Sequence, residues 1–147
     1  GAQMGRPDEQ VWVTAGDGGF QMNIQELATV VQEKLPLKMA VLNNGYLGMV
    51  RQWQQMFYEG RYSGTPLLGP DFARLAEAYG IPGITVREKG EVEEVVRRAS
   101  QMEGPVLMDF RIVQEENVYP MVQPGAGVVD MIRRPEVVPV KAGRQPA

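Results

Sequence analysis

Neither cysteine nor histidine occurs among the 147 residues. Without thiols there are no disulfides, thiolate metal sites or cysteine nucleophiles, and a reducing compartment is compatible with the chain. Without imidazole, Ser-His-Asp triads and ordinary zinc sites are excluded. Proton chemistry must therefore come from carboxylates, lysine, a bound cofactor or another chain. No apolar run reaches membrane-spanning length, and the opening residues do not read as a signal peptide, so a cytoplasmic location without a membrane partner is expected. A basic excess is lacking too. The net charge is −3 with both signs interspersed, which argues against nucleic acid as the main partner.

What is present reads as one domain's worth of chain, long enough for a sizeable core. Val11 to Ala15 reads as a buried strand and Met22 to Leu35 as a helix, with Ile24, Leu27, Ala28, Val31 and Leu35 forming one apolar stripe ended by Pro36. Lys38 to Leu42 is a second strand. Met49 to Tyr58 carries Met49, Trp53, Met56 and Phe57 at helical spacing. Asp71 is placed as the N-cap of a helix bearing Phe72, Leu75, Ala76 and Tyr79, and Gly80 as its C-terminal stop. Ile84 to Val86 is a short strand, Glu91 to Met102 a helix with Val92, Val95, Val96, Ala99 and Met102 inward, and Val106 to Val113 a last strand. Strands alternating with helices imply an α/β fold: a mostly parallel sheet with helices on both faces. No internal repeat is visible. Five of the eleven prolines fall after Glu115, where periodicity fades. The expected organisation is a domain over 1–132, with Tyr119 to Ile132 packing over the sheet or the site, and a frayed tail over 133–147. Gly1 to Asp8 lacks an initiator Met and starts with small residues of the kind found at a packed helix end. An N-terminally truncated domain is therefore expected, with a processed N-terminus as the alternative.

The chemistry concentrates in two stretches. Gly16-Asp17-Gly18-Gly19-Phe20 sits in a strand-to-helix turn, and Asn43-Asn44 ends the next strand, so both fall at the carboxyl edge of the sheet, where such folds bind ligands. Asp17 offers a hard carboxylate oxygen, Asn44 a neutral amide oxygen, and the turn opens a helix whose N–H groups favour phosphate. Mg²⁺ takes six oxygens and commonly shares them between one or two protein groups and substrate phosphates. A dinucleotide fingerprint fits less well, since its third glycine position is Gln21 and amides replace the ribose-binding acid. A P-loop would need Gly-Lys-Ser/Thr, which is absent. A helix-capping turn would account for Gly-Asp-Gly alone, but not for the spaced Asn pair.

The Gly-Asp-Gly and Asn-Asn pair resembles the thiamine-diphosphate motif. The runs Leu42 to Gln54 (LNNGYLGMVRQWQ), Phe57 to Ser63 (FYEGRYS), Pro70-Asp71-Phe72, Ala73 to Gly80, Gly104 to Leu107 and Glu116 to Val122 (ENVYPMV) further resemble the catalytic large subunit of the acetolactate synthase family, in its C-terminal cofactor-binding domain. The resemblance implies Mg²⁺ ligands at Asp17, Asn44 and the Tyr46 carbonyl, with Gly18 and Gly19 at the diphosphate and Gly16 among the cofactor-binding positions. Relatives usually carry Ser or Ala at Gly19, so a hydroxyl contact is expected to be missing. Leu47, Gly48 and Met49 fall where the family's loop passes the cofactor. Met49 and Trp53 fall in the pocket for the second 2-oxoacid, and Trp53 also in a herbicide site. Core packing is the competing reading for that i, i+4 pair.

The implied activity is decarboxylation of pyruvate and ligation of the two-carbon unit to pyruvate or 2-oxobutyrate, in branched-chain amino-acid biosynthesis. No catalytic side chain is assigned here, because the family's ylid-activating Glu lies in its N-terminal domain and its FAD in a central one. The chain alone is expected to be inactive and to bind cofactor weakly. A homodimer or tetramer and a small regulatory subunit are the implied partners. Two alternatives stay open: another thiamine-diphosphate enzyme, such as an oxoacid decarboxylase, glyoxylate carboligase or sulfoacetaldehyde acetyltransferase, and a non-catalytic domain that keeps the fold.

Overall fold

The computed structural model describes residues 1–135. Most of the tail expected over 133–147 lies outside those residues. Residues Gly1–Glu116 form one compact unit, and a second begins at Asn117.

The first unit runs α1 (Ala2–Gly5), β1 (Trp12–Gly16), α2 (Asp17–Gln21), α3 (Leu27–Gln32), β2 (Lys38–Asn43), α4 (Gly48–Phe57), α5 (Phe72–Ala78), β3 (Gly83–Val86), α6 (Val92–Gln101) and β4 (Val106–Arg111). The four strands make one sheet in the order β1-β2-β4-β3, and every pairing is parallel. Parallel pairing brings the ends of all four strands to one edge, with Gly16 opposite Leu42 and Asn43 opposite Arg111. Asp17 and Asn44, each one residue past its strand, therefore emerge there together.

Side-chain alternation divides the core in two. Val13, Met39, Val41 and Leu107 point to the face covered by α3 and α5, where Leu27, Val30, Phe72, Ala76 and Ile81 are buried. Phe20 meets Phe72 edge-on at 5.7 Å, which docks α2 to the same layer. Fully burying side chains such as Phe72, Ile81 and Leu107 contributes about 1.5–3 kcal/mol each. The opposite face packs Val106, Met108, Phe110 and Val86 against Val95 and Ala99 of α6.

Three expectations need correction. The span read as one helix over 22–35 holds instead a 3₁₀ turn at Ile24–Glu26 and then α3, because α2 has already ended at Gln21 and the chain leaves helical geometry at Asn23 (φ −130°). α3 ends at Gln32, well before Pro36, and Lys34 beyond it has a left-handed φ of +52°. With that break the buried stripe shifts to Leu27 and Val30, leaving Val31 exposed. The first strand is not buried on both faces: it is a sheet edge, and Trp12, Thr14 and Gly16 are exposed. The α6 stripe is also narrower than expected, since only Val95 and Ala99 are fully covered and Val92 and Val96 are exposed. The Asp71 cap stands as read, its Oδ1 accepting the Arg74 N–H at 3.1 Å, and Gly80 adopts φ +76°.

Lys38 is the unexpected core residue. It is 1% exposed, and its Nζ donates to the carbonyls of Met102 (2.5 Å) and Gly104 (2.6 Å), tying the start of β2 to the end of α6. Burial pushes its ammonium pKa down.

In the second unit, Met121 and Ile132 exchange backbone hydrogen bonds (2.9 and 2.7 Å) across an antiparallel bridge, Val128–Asp130 is a 3₁₀ turn, and Arg134 lies over the Tyr119 ring. No helix among the described residues is long and apolar enough to cross a membrane.

Candidate functional site

Gly16 precedes α2, and Asp17 is the first residue of that helix, with its side chain buried (5% exposed). Among the described residues no Lys or Arg pairs with it. Its Oδ2 instead accepts the backbone N–H of Gly45 at 2.9 Å, which joins the two stretches singled out in the sequence. A buried carboxylate without a positive partner is costly unless hydrogen-bonded or bound to a metal. The donor set thus fits a divalent cation. No three acidic side chains converge among the described residues, so a cation here would draw on one carboxylate and neutral oxygens.

The loop after β2 carries two such neutral oxygens, the Asn44 amide and the Tyr46 carbonyl. Gly45 has φ +69°, a conformation that glycine adopts without strain, and the chain turns there just after its N–H meets Asp17. Asn44 Oδ1 accepts the Tyr46 N–H at 3.0 Å, fixing the carboxamide in a tight local turn. A Cβ on Gly48 would stand 3.1 Å from Asn44 Nδ2, so glycine makes room for the amide. Tyr46 forms an antiparallel bridge with Pro66, in which Leu67 N–H donates to Gly45 O (2.8 Å) and Leu47 N–H to Thr65 O (2.9 Å). The bridge uses the carbonyl of Gly45 and leaves that of Tyr46 outside it.

On the β1 side, the N–H groups of Asp17, Gly18 and Gly19 belong to the first turn of α2 and have no partner within the helix. A Cβ at Gly16 or Gly19 would meet nothing within 4 Å, so room is left beside these donors. Gly18 is different: a Cβ there would come within 3.0 Å of Leu67 Cδ1 and 3.1 Å of Leu47 Cδ2. Gly18, Leu47 and Leu67 therefore pack the α2 turn directly against the β2 loop.

Helix α4 is turned opposite to ordinary core logic. Its buried residues are Arg51 and Gln52, while Leu47 and Met49 are exposed (37% and 54%) and Trp53 is half-buried, edge-on to Phe57 at 5.1 Å. Met49 is thus not a core residue in this chain. The Arg51 guanidinium sits over the rings of both Tyr46 (5.6 Å) and Tyr62 (4.9 Å), so it pins the β2 loop and the loop after α4 to one helix.

Sequence reasoning missed a polar cluster one residue from the loop. Asp109, fully buried in β4, accepts a hydrogen bond from Asn43 Nδ2 at 3.0 Å. Arg111 Nη2 lies 2.9 Å from its other oxygen, an ion pair whose N–H groups are not directed along a hydrogen-bond axis. Burial pushes the Asp109 carboxyl above its ordinary value, against the opposing pull of Asn43 and Arg111. A lone acid inside the apolar run Val106-Leu107-Met108-Asp109-Phe110 was the available signal. A groove of about 370 Å³ between Val86, Val92, Phe110 and Ile112 is lined by Arg111 of this cluster as well.

Comparison with known proteins bears on this arrangement. Residues 1–110 match the family model for the thiamine pyrophosphate enzyme, C-terminal TPP binding domain. The acetolactate synthase large subunit of Porphyra purpurea is 47% identical over 134 residues, covering 90% of this chain and 23% of that protein. The isozyme 2 large subunit of acetolactate synthase from Escherichia coli (strain K12) is 47% identical over 135 residues, covering 91% of this chain and 25% of that one. Among solved structures, the thiamine diphosphate-dependent 4-hydroxybenzoylformate decarboxylase of Rhodococcus jostii RHA1 superposes with a TM-score of 0.72 at 32% identity, covering 79% of this chain and 22% of that chain. The chain spans about a quarter of the length of these relatives.

Proposed function

The chain belongs to the thiamine pyrophosphate enzymes, as their C-terminal TPP-binding domain, and on that premise we propose that it is the cofactor-binding part of an acetolactate synthase. The observation that carries the reading is the 2.9 Å hydrogen bond from Gly45 N–H to Asp17, which holds the two halves of the motif together. The level of identity to acetolactate synthase large subunits supports that activity over other thiamine-diphosphate enzymes.

In this reading the Asp17 carboxylate, the Asn44 amide oxygen and the Tyr46 carbonyl would hold Mg²⁺, which would offset the charge of the cofactor's diphosphate. The first-turn N–H groups of Gly18 and Gly19 would receive the diphosphate, as helix starts favour anions. Bound thiamine diphosphate supplies the electron sink for decarboxylating pyruvate and joining its two-carbon unit to a second 2-oxoacid. The chain's own residues bind and orient. Leu47, Gly48 and Met49 flank the cofactor, while the exposed Met49 and half-buried Trp53 shape the acceptor's pocket. Proton transfer to the cofactor falls to a glutamate outside this chain, and FAD to another domain of the whole enzyme. The proposal includes a homodimeric or tetrameric cytoplasmic enzyme, with a small regulatory subunit as a further candidate partner.

The test exchanges this chain for the matching segment of a full-length relative and assays products from pyruvate. Acetolactate is expected, with 2-oxobutyrate preferred over pyruvate as acceptor and that preference lost in Trp53→Leu. Cofactor binding with release of acetaldehyde and no acetolactate would overturn the assignment in favour of a decarboxylase.

A further inference from the structure

Asp109 is wholly buried, in a strand whose other buried residues are all apolar, yet it is a carboxylate. Such a placement costs stability unless its oxygens are matched. The match it finds is at the site edge of the sheet. In the β2–β4 register Asp109 lies opposite Val41, and its Oδ1 reaches along the sheet to Asn43 Nδ2 at 3.0 Å. The backbone of Asn43 is held by the same strand, its carbonyl accepting the Ile112 N–H at 3.0 Å. Asn43 is thus fixed to β4 twice, by main chain and by side chain, at the last residue of β2. The next residue is Asn44, and the one after it is Gly45, whose N–H meets Asp17.

We propose that Asp109 is a positioning residue for the cation-binding loop: by holding the Asn43 carboxamide it sets the path of the chain through Asn44, Gly45 and Tyr46. Asp109 does not touch the cation or the cofactor. It fixes the strand end from which two of the three cation ligands project, and Arg111 holds its second oxygen, leaving the first aimed at Asn43. Outer partners of this kind govern how well metal ligands are oriented. The proposal rests on Asp17, Asn44 and Tyr46 being those ligands.

Two readouts on the chain test it. In the ligand-free chain, amide hydrogen exchange at Gly45 and Tyr46 is compared with that at Val41 in mid-strand. Asp109→Ala should speed the loop amides about tenfold relative to Val41. Asp109→Asn keeps an oxygen that can accept from Asn43 and should restore the original ratio. Asn43→Ala should reproduce the loss, and serves if Asp109→Ala does not fold. In the second readout, Mg²⁺-dependent affinity for thiamine diphosphate should fall about tenfold in Asp109→Ala and recover in Asp109→Asn. An unchanged Gly45-to-Val41 ratio in both alanine variants, or an Asp109→Asn variant as impaired as Asp109→Ala, overturns the proposal. If the loop loosens as stated but Mg²⁺ does not raise thiamine diphosphate affinity in the unaltered chain, the coupling of Asp109 to the loop stands and the ligand assignment falls.

Discussion

Gly45 gives its backbone N–H to Asp17 across 2.9 Å, although 28 residues separate them in the chain. That one contact couples the turn after β1 to the turn after β2. It exists because the parallel register sets Gly16 beside Leu42, so that both strands release their next residues at the same edge. The positive φ of Gly45 then turns the chain away toward Tyr46.

The scaffold under this edge depends on a close approach elsewhere. A Cβ on Gly83 would fall 2.1 Å from the Ala73 carbonyl oxygen and 2.6 Å from its carbon, both backbone atoms that cannot rotate away. Gly83→Ala must therefore separate α5 from β3, at a cost of about 3 kcal/mol. Gly90→Ala, where a Cβ meets nothing within 4 Å, should stay within about 0.5 kcal/mol of the original. Urea denaturation of the two variants checks the contrast.

Arg51 should not tolerate lysine. Its planar guanidinium lies over the rings of Tyr46 and Tyr62, and Nη2 also donates to the Tyr62 hydroxyl at 3.4 Å. A lysine ammonium keeps the charge but cannot stack on two rings. Arg51→Lys should lose about 1 kcal/mol. It should also make the segment 58–63 more susceptible to limited proteolysis, with cleavage rates read against the unaltered chain.

Asp109 gives the chain a pH signature. Its carboxyl is raised above the ordinary value, chiefly by burial. Between that ordinary value and the higher folded one, the folded state holds more protons than the unfolded state. Stability from this group is therefore greatest at the acid end and declines as pH rises through the folded value. Asp109→Asn removes the ionisation and should flatten that decline. Denaturation midpoints taken from pH 4 to pH 7 on both proteins, at the same salt, test the sign.

Much of this was readable before any coordinates, and the reasons are specific. The meeting of Asp17 and Asn44 at one sheet edge was legible because each follows a strand-like run, and a parallel α/β sheet brings such ends together. Asp71 was legible as a cap because an acid stood just before an i, i+3, i+4 apolar pattern. The break at Asn23 was not, since apolar spacing continues through it and only backbone geometry interrupts the helix. Lys38, Arg51, Gln52 and Asp109 were missed for a common reason: periodicity arguments assign polar residues to solvent. Each of the four is buried through particular partners, two carbonyls for Lys38, two rings for Arg51, the Met56 sulfur for Gln52 and an amide for Asp109. The exposed face of β1 was also hidden, because a strand's apolar content does not say whether it lies in the middle of a sheet or at its edge.

The central claim is that Asp17 anchors a divalent cation which in turn holds a diphosphate. Calorimetric titration of thiamine diphosphate into the chain, with and without Mg²⁺, and into Asp17→Ala under the same conditions, addresses it most directly. Mg²⁺ should tighten binding to the unaltered chain by about tenfold or more and leave Asp17→Ala unaffected. Equal affinities in the two proteins in the presence of Mg²⁺ would contradict the account.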